Sequence, residues 1–199
     1  MGSIVLDMSM SLDGYITGPN EGPGNGLGDG GERLHEWFFA GAPTEEGGVP
    51  GRPDGVDGEL IDQLMATGAV VAGRHTFELA GGWDGDHHDG VEIYILSRHE
   101  PLPEVADWPL VTYLDDIEEA ITRAKAAAGE KDVLFHGVTT ARLALEAGLL
   151  DELQIHLVPI LLGSGRRLFE ESGLGKVELE PVRVVAGPEV THLRYRVRR

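Results

Sequence analysis

The chain has 199 residues, enough for one α/β domain with a sizeable core, and its composition is ordinary apart from 29 glycines. It contains no cysteine, which excludes thiol catalysis, a disulfide scaffold and thiolate metal sites. A formal net charge of -18, uninterrupted by any basic stripe, argues against nucleic acid or an anionic membrane as partner. A polyanionic ligand would then depend on a few local cations and helix N-termini. No apolar run is long enough to cross a bilayer. The opening MGSIVLDMSMSLDG lacks a basic head followed by an apolar stretch, so a cytoplasmic location is expected.

Residues 4–10 read as a short buried strand ending at the turn-like Ser11-Leu12-Asp13-Gly14. Residues 18–31 form a glycine-rich loop with Pro19, Asn20, Pro23 and Asn25. Leu34, Trp37 and Phe38 fall at helical spacing within 33–39. A second loop, 41–58, is rich in Gly, Pro and acidic residues. Loops this long inside a compact domain are commonly lids, and these two flank one short helix, so together they are placed to cover one cleft. A regular alternation follows: helix 59–66, strand 69–72, a turn into helix over 73–78, strand 91–96, strand 110–113, helix 115–128, strand 132–135 and helix 139–147. Strands 152–159, 177–185 and 190–197 close the chain without long helices between them. This order predicts a single domain over 1–199, with a mostly parallel sheet extended by antiparallel C-terminal strands.

Ligands of α/β sheets bind beyond the carboxyl ends of strands, where helix N-termini present unpaired amides. Three junctions carry suitable residues. At Gly73-Arg74-His75-Thr76 the glycine permits a tight turn, Thr76 can help cap the helix, and Arg74 offers a phosphate-binding fork. Ser97-Arg98 places a hydroxyl and a guanidinium at a strand end, a pair suited to a phosphate monoester. Gly137-Val138-Thr139-Thr140 is another strand–glycine–helix entry, suited to pyrophosphate. Singly, each is ordinary turn chemistry; three in chain order say more. The segment 84–90, with His87 and His88, is expected to form a loop rim with Trp83 as an apolar wall. A metal site is not expected there, because adjacent residues seldom ligate one ion together.

Taken with Ser11-Leu12-Asp13-Gly14-Tyr15-Ile16, Gly73-Arg74-His75-Thr76-Phe77-Glu78 and the block 148–169, these junctions make the sequence similar to the dihydrofolate-reductase-like superfamily. The nearest likeness is to the reductase domain of bifunctional riboflavin-biosynthesis deaminase–reductases and its stand-alone relatives. The resemblance spans nearly the whole chain and is most specific in 148–169. It implies a central mixed sheet flanked by helices, with NADPH lying across the strand ends. The turn at Gly73, Arg74, His75 and Thr76 would meet the phosphates, Ser97 and Arg98 the adenosine 2′-phosphate side, and Gly137, Val138 and Thr139 the pyrophosphate. The implied activity is hydride transfer to a small polar heterocycle, C=N compound or sugar carbonyl.

Two departures from the family pattern bear on function. The family commonly has Gly-Gly where this chain has Gly137-Val138, and a β-branched residue tolerates positive φ poorly. Folate reductases carry a carboxylate on their first helix. Aligning their Trp-Phe pair with Trp37-Phe38 puts Leu34 in that place, so folate reduction is disfavoured. Asp13, His35 and Glu36 are the nearby candidates for a proton donor, although Asp13-Gly14 is also good turn chemistry. The competing reading is a non-catalytic nucleotide- or flavin-binding protein on the same fold. The apolar stretch 157–162 among the C-terminal strands suggests a homodimer.

Overall fold

A computed structural model describes residues 2–40, 52–169 and 175–198. Its centre is an eight-stranded sheet of order β5-β4-β3-β6-β1-β7-β10-β9. The strands are β1 (Ile4–Ser11), β3 (Ala69–Gly73), β4 (Glu92–Leu96), β5 (Val111–Leu114), β6 (Val133–His136), β7 (Glu152–Val158), β9 (Leu179–Ala186) and β10 (Thr191–Val197). The six strands from β5 to β7 run parallel, and β10 and β9 add antiparallel to β7. The expected mixed, mostly parallel sheet with an antiparallel C-terminal extension is the one observed.

Side chains alternate across the central strands, so both faces are apolar and both are covered. Leu6, Val71, Tyr94 and Phe135 face α3 (Ile117–Ala128) and α4 (Val138–Glu146), meeting Ala120, Ala124, Ala141 and Ala144. Val70, Ala72, Ile93, Ile95 and Leu134 point the other way, toward Phe77 of α2 (Arg74–Leu79) and Leu64 of α1 (Gly55–Met65). The small residues of α3 and α4 let those helices lie close against the branched strand surface. The sequence also sets the ends of α3. Asp116 accepts a hydrogen bond from the Glu119 amide at 2.8 Å, and Gly129 leaves the helix at φ 63°.

Several local expectations are corrected. Trp37 and Phe38 do not lie on an α-helix; a 3-10 turn (Gly31–Leu34) passes into further turns there. Glycine-rich surroundings leave that segment too short for α-helical propagation. The first α-helix among the described residues is α1, which begins at Gly55, inside the stretch expected to be loop. Residues 41–51 of that loop lie outside the described residues. A two-stranded ribbon not foreseen in the sequence pairs β2 (Tyr15–Thr17) with β8 (Arg166–Arg167). Arg167 lies over the Tyr15 ring at 4.3 Å and donates to the Asp13 carbonyl, tying the first loop to the 148–169 block. The apolar stretch 157–162 begins in β7, which sits between β1 and β10, and runs on past the strand end at Val158.

Candidate active site

The sheet order sets β4, β3 and β6 side by side, with Gly73 opposite Leu96 and Ala72 opposite His136. The three junctions read from the sequence therefore open at one end of the sheet. Gly137 has φ 99°, a value that only glycine adopts without strain. A Cβ there would stand 2.8 Å from Thr76 Oγ1 and 3.1 Å from Thr140 Oγ1, so the two adjacent strand ends leave a notch bounded by two hydroxyls. The Thr140 hydroxyl donates to the His136 carbonyl at 2.6 Å, and the first-turn amides of α4 have no helical acceptor. Val138 is the first residue of that helix. The left-handed conformation falls on Gly137, so the β-branched side chain meets no strain and packs toward the core.

Beside the notch, and sharing Thr76 with it, lies a cleft of about 610 Å³. Thr17 of β2 and Glu21, Gly26 and Leu27 of the glycine-rich loop form one wall, and Trp37, Phe38 and Trp83 supply aromatic surface. Trp83 holds φ 51° within a left-handed turn from Gly81 to Gly85, a conformation a bulky side chain rarely adopts. It packs edge-on against Phe77 and His87. The loop wall is clamped where Glu21 accepts hydrogen bonds from Arg166 and joins His75 at 3.1 Å.

The cleft floor is ionisable. Asp7 of β1 projects into it with a side chain 14% exposed, and His156 Nε2 lies 3.1 and 3.2 Å from its two carboxylate oxygens. Burial would raise the Asp7 pKa, but the imidazoles of His156, His136 and His192 outweigh it and hold the carboxyl below its usual range. His136 donates through Nδ1 to the Asp7 carbonyl, and its Nε2 faces His87 Nε2 at 3.2 Å. Burial lowers the pKa of His136, and it pushes His87 down to about 2, with repulsion from His136 and His88 adding to the effect. His35 also lines the cleft. Burial lowers its pKa to about 4, and its Nδ1 has no hydrogen-bond partner among the described residues.

The structure thus separates the candidates read from the sequence. His35, His75 and Thr76 line the cleft, and Gly73, Gly137 and Thr140 form the notch. Thr139 is exposed at the start of α4. Arg74 pairs with Glu78 at 3.2 Å. Ser97 closes a local turn with the backbone of His99, and Arg98 is exposed with no ion pair among the described residues. Asp13 does not line the cleft; its carboxylate accepts from Ser11 and from the amides of Leu162 and Gly163. Glu36 is exposed and pairs with Arg33. Asp7 and His156 were missed, yet a charged or imidazole residue inside an otherwise apolar strand is itself a signal, since such groups need partners when buried.

The C-terminal domain of RibD describes residues 3–193 of the chain as a family. The chain is 24% identical over 178 residues to the uncharacterised protein YyaP of Bacillus subtilis, covering 83% of this chain and 79% of YyaP. Among solved structures, a protein from Shewanella sp. PV-4 named for riboflavin biosynthesis superposes with a TM-score of 0.70 at 23% identity, each chain covered completely. Dihydrofolate reductase from Enterococcus faecalis, complexed with NADP(H), gives a TM-score of 0.57 at 16% identity over 98% of this chain and 96% of its own. These likenesses establish the dihydrofolate-reductase-like α/β fold, and the match across nearly the whole sequence supports a reductase role: the chain belongs to the RibD C-terminal domain family.

Proposed function

We propose that the protein is an NADPH-dependent reductase acting on a small polar heterocycle, C=N compound or sugar carbonyl. The observation that carries this reading is the Gly73–Thr76–Gly137–Thr140 notch opening, through Thr76, onto a cleft with a carboxylate in its floor. The notch suits a phosphate group: it has no side chain where Gly137 turns, the Thr76 hydroxyl on its rim and free amides at the start of α4. Arg98 stands at the neighbouring strand end as the cation for a 2′-phosphate. When bound, the cofactor supplies a hydride. The aromatic walls exclude water around the acceptor, and the hydrogen-bonded Asp7–His156 pair is the acid–base group within reach of the cleft to hand it a proton, Asp7 itself being kept below the usual carboxylate range by the imidazoles. A cleft of about 610 Å³ fits one small substrate beside a nicotinamide ring.

The two features that favoured a non-catalytic binder weaken in the folded chain. Val138 is helical, and a carboxylate reaches the cleft from β1 although none comes from the 31–39 segment. Fluorescence titration with NADPH and NADH tests the reading. Tight binding of NADPH is expected, with Arg98→Ala weakening NADPH but not NADH by about tenfold to a hundredfold. Absence of binding to either cofactor refutes the proposal. Binding without oxidation by any of a panel of pterins, flavin precursors and small carbonyls returns the protein to the non-catalytic class.

A further inference from the structure

Asp7, Gln154 and Arg194 stand in register across β1, β7 and β10, so three polar side chains share one face of the sheet. On one side of this row the polar groups satisfy one another. His156 Nδ1 lies 2.6 Å from His192 Nδ1, and His192 Nε2 lies 2.9 Å from Asp57 Oδ1. Trp37 closes over both imidazoles, its ring 4.3 Å from His156 and 5.1 Å from His192. On the other side the row floors a second pocket, of about 310 Å³, covered by the last turns of α1. Exposed Gln63 and Ala66 open this pocket to solvent, and among the described residues only Asp7 and Leu64 also line the cleft.

The second pocket is rich in acceptors and short of donors. Gln154 is 4% exposed, and its Oε1 has no hydrogen-bond partner among the described residues. The Asp7 carboxylate offers about four acceptor positions. Both of its oxygens face the same nitrogen, His156 Nε2, which fills one of those positions. Held below its usual range by the surrounding imidazoles, the carboxyl is ionised at neutral pH. Donors nearby are committed elsewhere. Thr67 gives its hydroxyl hydrogen to the Leu64 carbonyl at 2.7 Å, while Arg194 turns Nε to Glu152 at 2.5 Å and Nη2 to Asp132 at 3.6 Å. The rest of the lining includes the apolar side chains of Val5, Leu60 and Leu134.

An occupant that completes this site brings N–H donors, a positive charge and an apolar body. Water alone supplies donors but leaves the apolar lining wetted, and the volume far exceeds the roughly 30 Å³ of one water molecule. A metal ion is not favoured, since no group of three or more His, Asp or Glu side chains converges on one point among the described residues. We propose that this pocket binds a small primary alkylammonium ligand, its NH3+ group donating to the Asp7 carboxylate and to Gln154 Oε1. The alkyl part lies against Val5, Leu60 and Leu134. Asp7 belongs to both spaces, so occupancy of the pocket reaches the acid–base pair of the cleft.

The test is an NMR titration of the whole chain near pH 7, with Gln side-chain amides, Asp carboxyls and Trp indoles isotopically labelled. The probe is n-butylammonium. Tetramethylammonium carries the charge without an N–H, 1-butanol the alkyl chain without the charge, and butyrate the opposite charge. Saturable shifts at the Gln154 amide and the Asp7 carboxyl are expected with n-butylammonium. The Trp83 indole, which lines the cleft alone, should stay where it is. The three comparison probes should bind at least about tenfold more weakly.

Gln154→Met keeps the side-chain length and removes the acceptor, and should weaken n-butylammonium by about tenfold to a hundredfold. Ala66→Phe narrows the mouth from an exposed position, so it tests the same pocket without disturbing the core, and should weaken binding by about tenfold or more. Equal binding of 1-butanol or tetramethylammonium overturns the proposal, as do shifts at Trp83 in place of Gln154, which put the amine in the cleft. Absence of a saturable Gln154 shift at millimolar concentrations assigns the pocket to water. None of these readouts needs turnover, so the result stands whether or not the chain reduces any acceptor.

Discussion

The two halves of the sheet are built from different chemistry. In the β5-β4-β3-β6 half the functional features sit at strand ends and are mostly backbone: Gly73, Gly137, the first turn of α4, and the Thr76 and Thr140 hydroxyls. In the β1-β7-β10 half they sit within strands and are side chains: Asp7, His156 and His192, joined to Asp57 of α1. A phosphate is held well by amides that need no charge of their own, which suits a protein of net charge -18. A proton has to be held by groups that titrate, and these work only when buried with partners. In the proposed function one half grips a ligand while the other adjusts acidity, and Thr76 and His136 mark the seam.

Variants on either side should therefore fail differently. The largest effect is expected for Asp7→Asn, which keeps the shape of the cleft floor but removes the carboxylate. Turnover should fall by about a hundredfold or more, with NADPH affinity within about twofold in a fluorescence titration. Loss of both together would place the cofactor against Asp7 and dissolve the division. Acid should be next. His35, His87 and His136 are buried with lowered pKa values, so unfolding takes up protons below about pH 6.5 that the folded state does not bind. Their contribution to stability is present above that pH and is lost as pH falls toward the folded values. For His35, whose folded value is about 4, this amounts to about 3 kcal/mol, and His35→Gln should flatten the fall of Tm measured from pH 7 to 4.

The smallest of the three effects belongs to the notch. Gly137→Ala puts a methyl group 2.8 Å from Thr76 Oγ1 at a φ of 99°. It should destabilise the fold by about 1–3 kcal/mol and weaken NADPH and NADH alike, while the Asp7 titration stays where it was. A shift in that titration would show that the two halves are coupled.

The glycine-marked half was readable in one dimension because its signals are local. A glycine after a strand, followed by a hydroxyl and a helix, means the same thing wherever the strand lies. Even there Val138 misled, since the residue carrying positive φ depends on where the helix begins. The ionisable half was opaque for a different reason. Asp7, Asp57, His156 and His192 are separated by up to 185 positions, and each alone is an oddity in a strand or helix start. Trp37 and Phe38, aligned by sequence with a helix, lie in turns, so the carboxylate sought at Leu34 was sought on the wrong element.

Periodicity and punctuation in the sequence by themselves determined the alternating elements, the mostly parallel sheet with its antiparallel extension, and the three strand-end junctions. Those properties follow from each residue's own backbone preference and that of its near neighbours. Tertiary structure alone decided which strands are neighbours, and hence that Asp7 lies beside His156, that His156 meets His192, and that Trp37 covers them both. Hydrogen bonding between distant strands, and the burial that makes it matter, exist only once the sheet has closed around them.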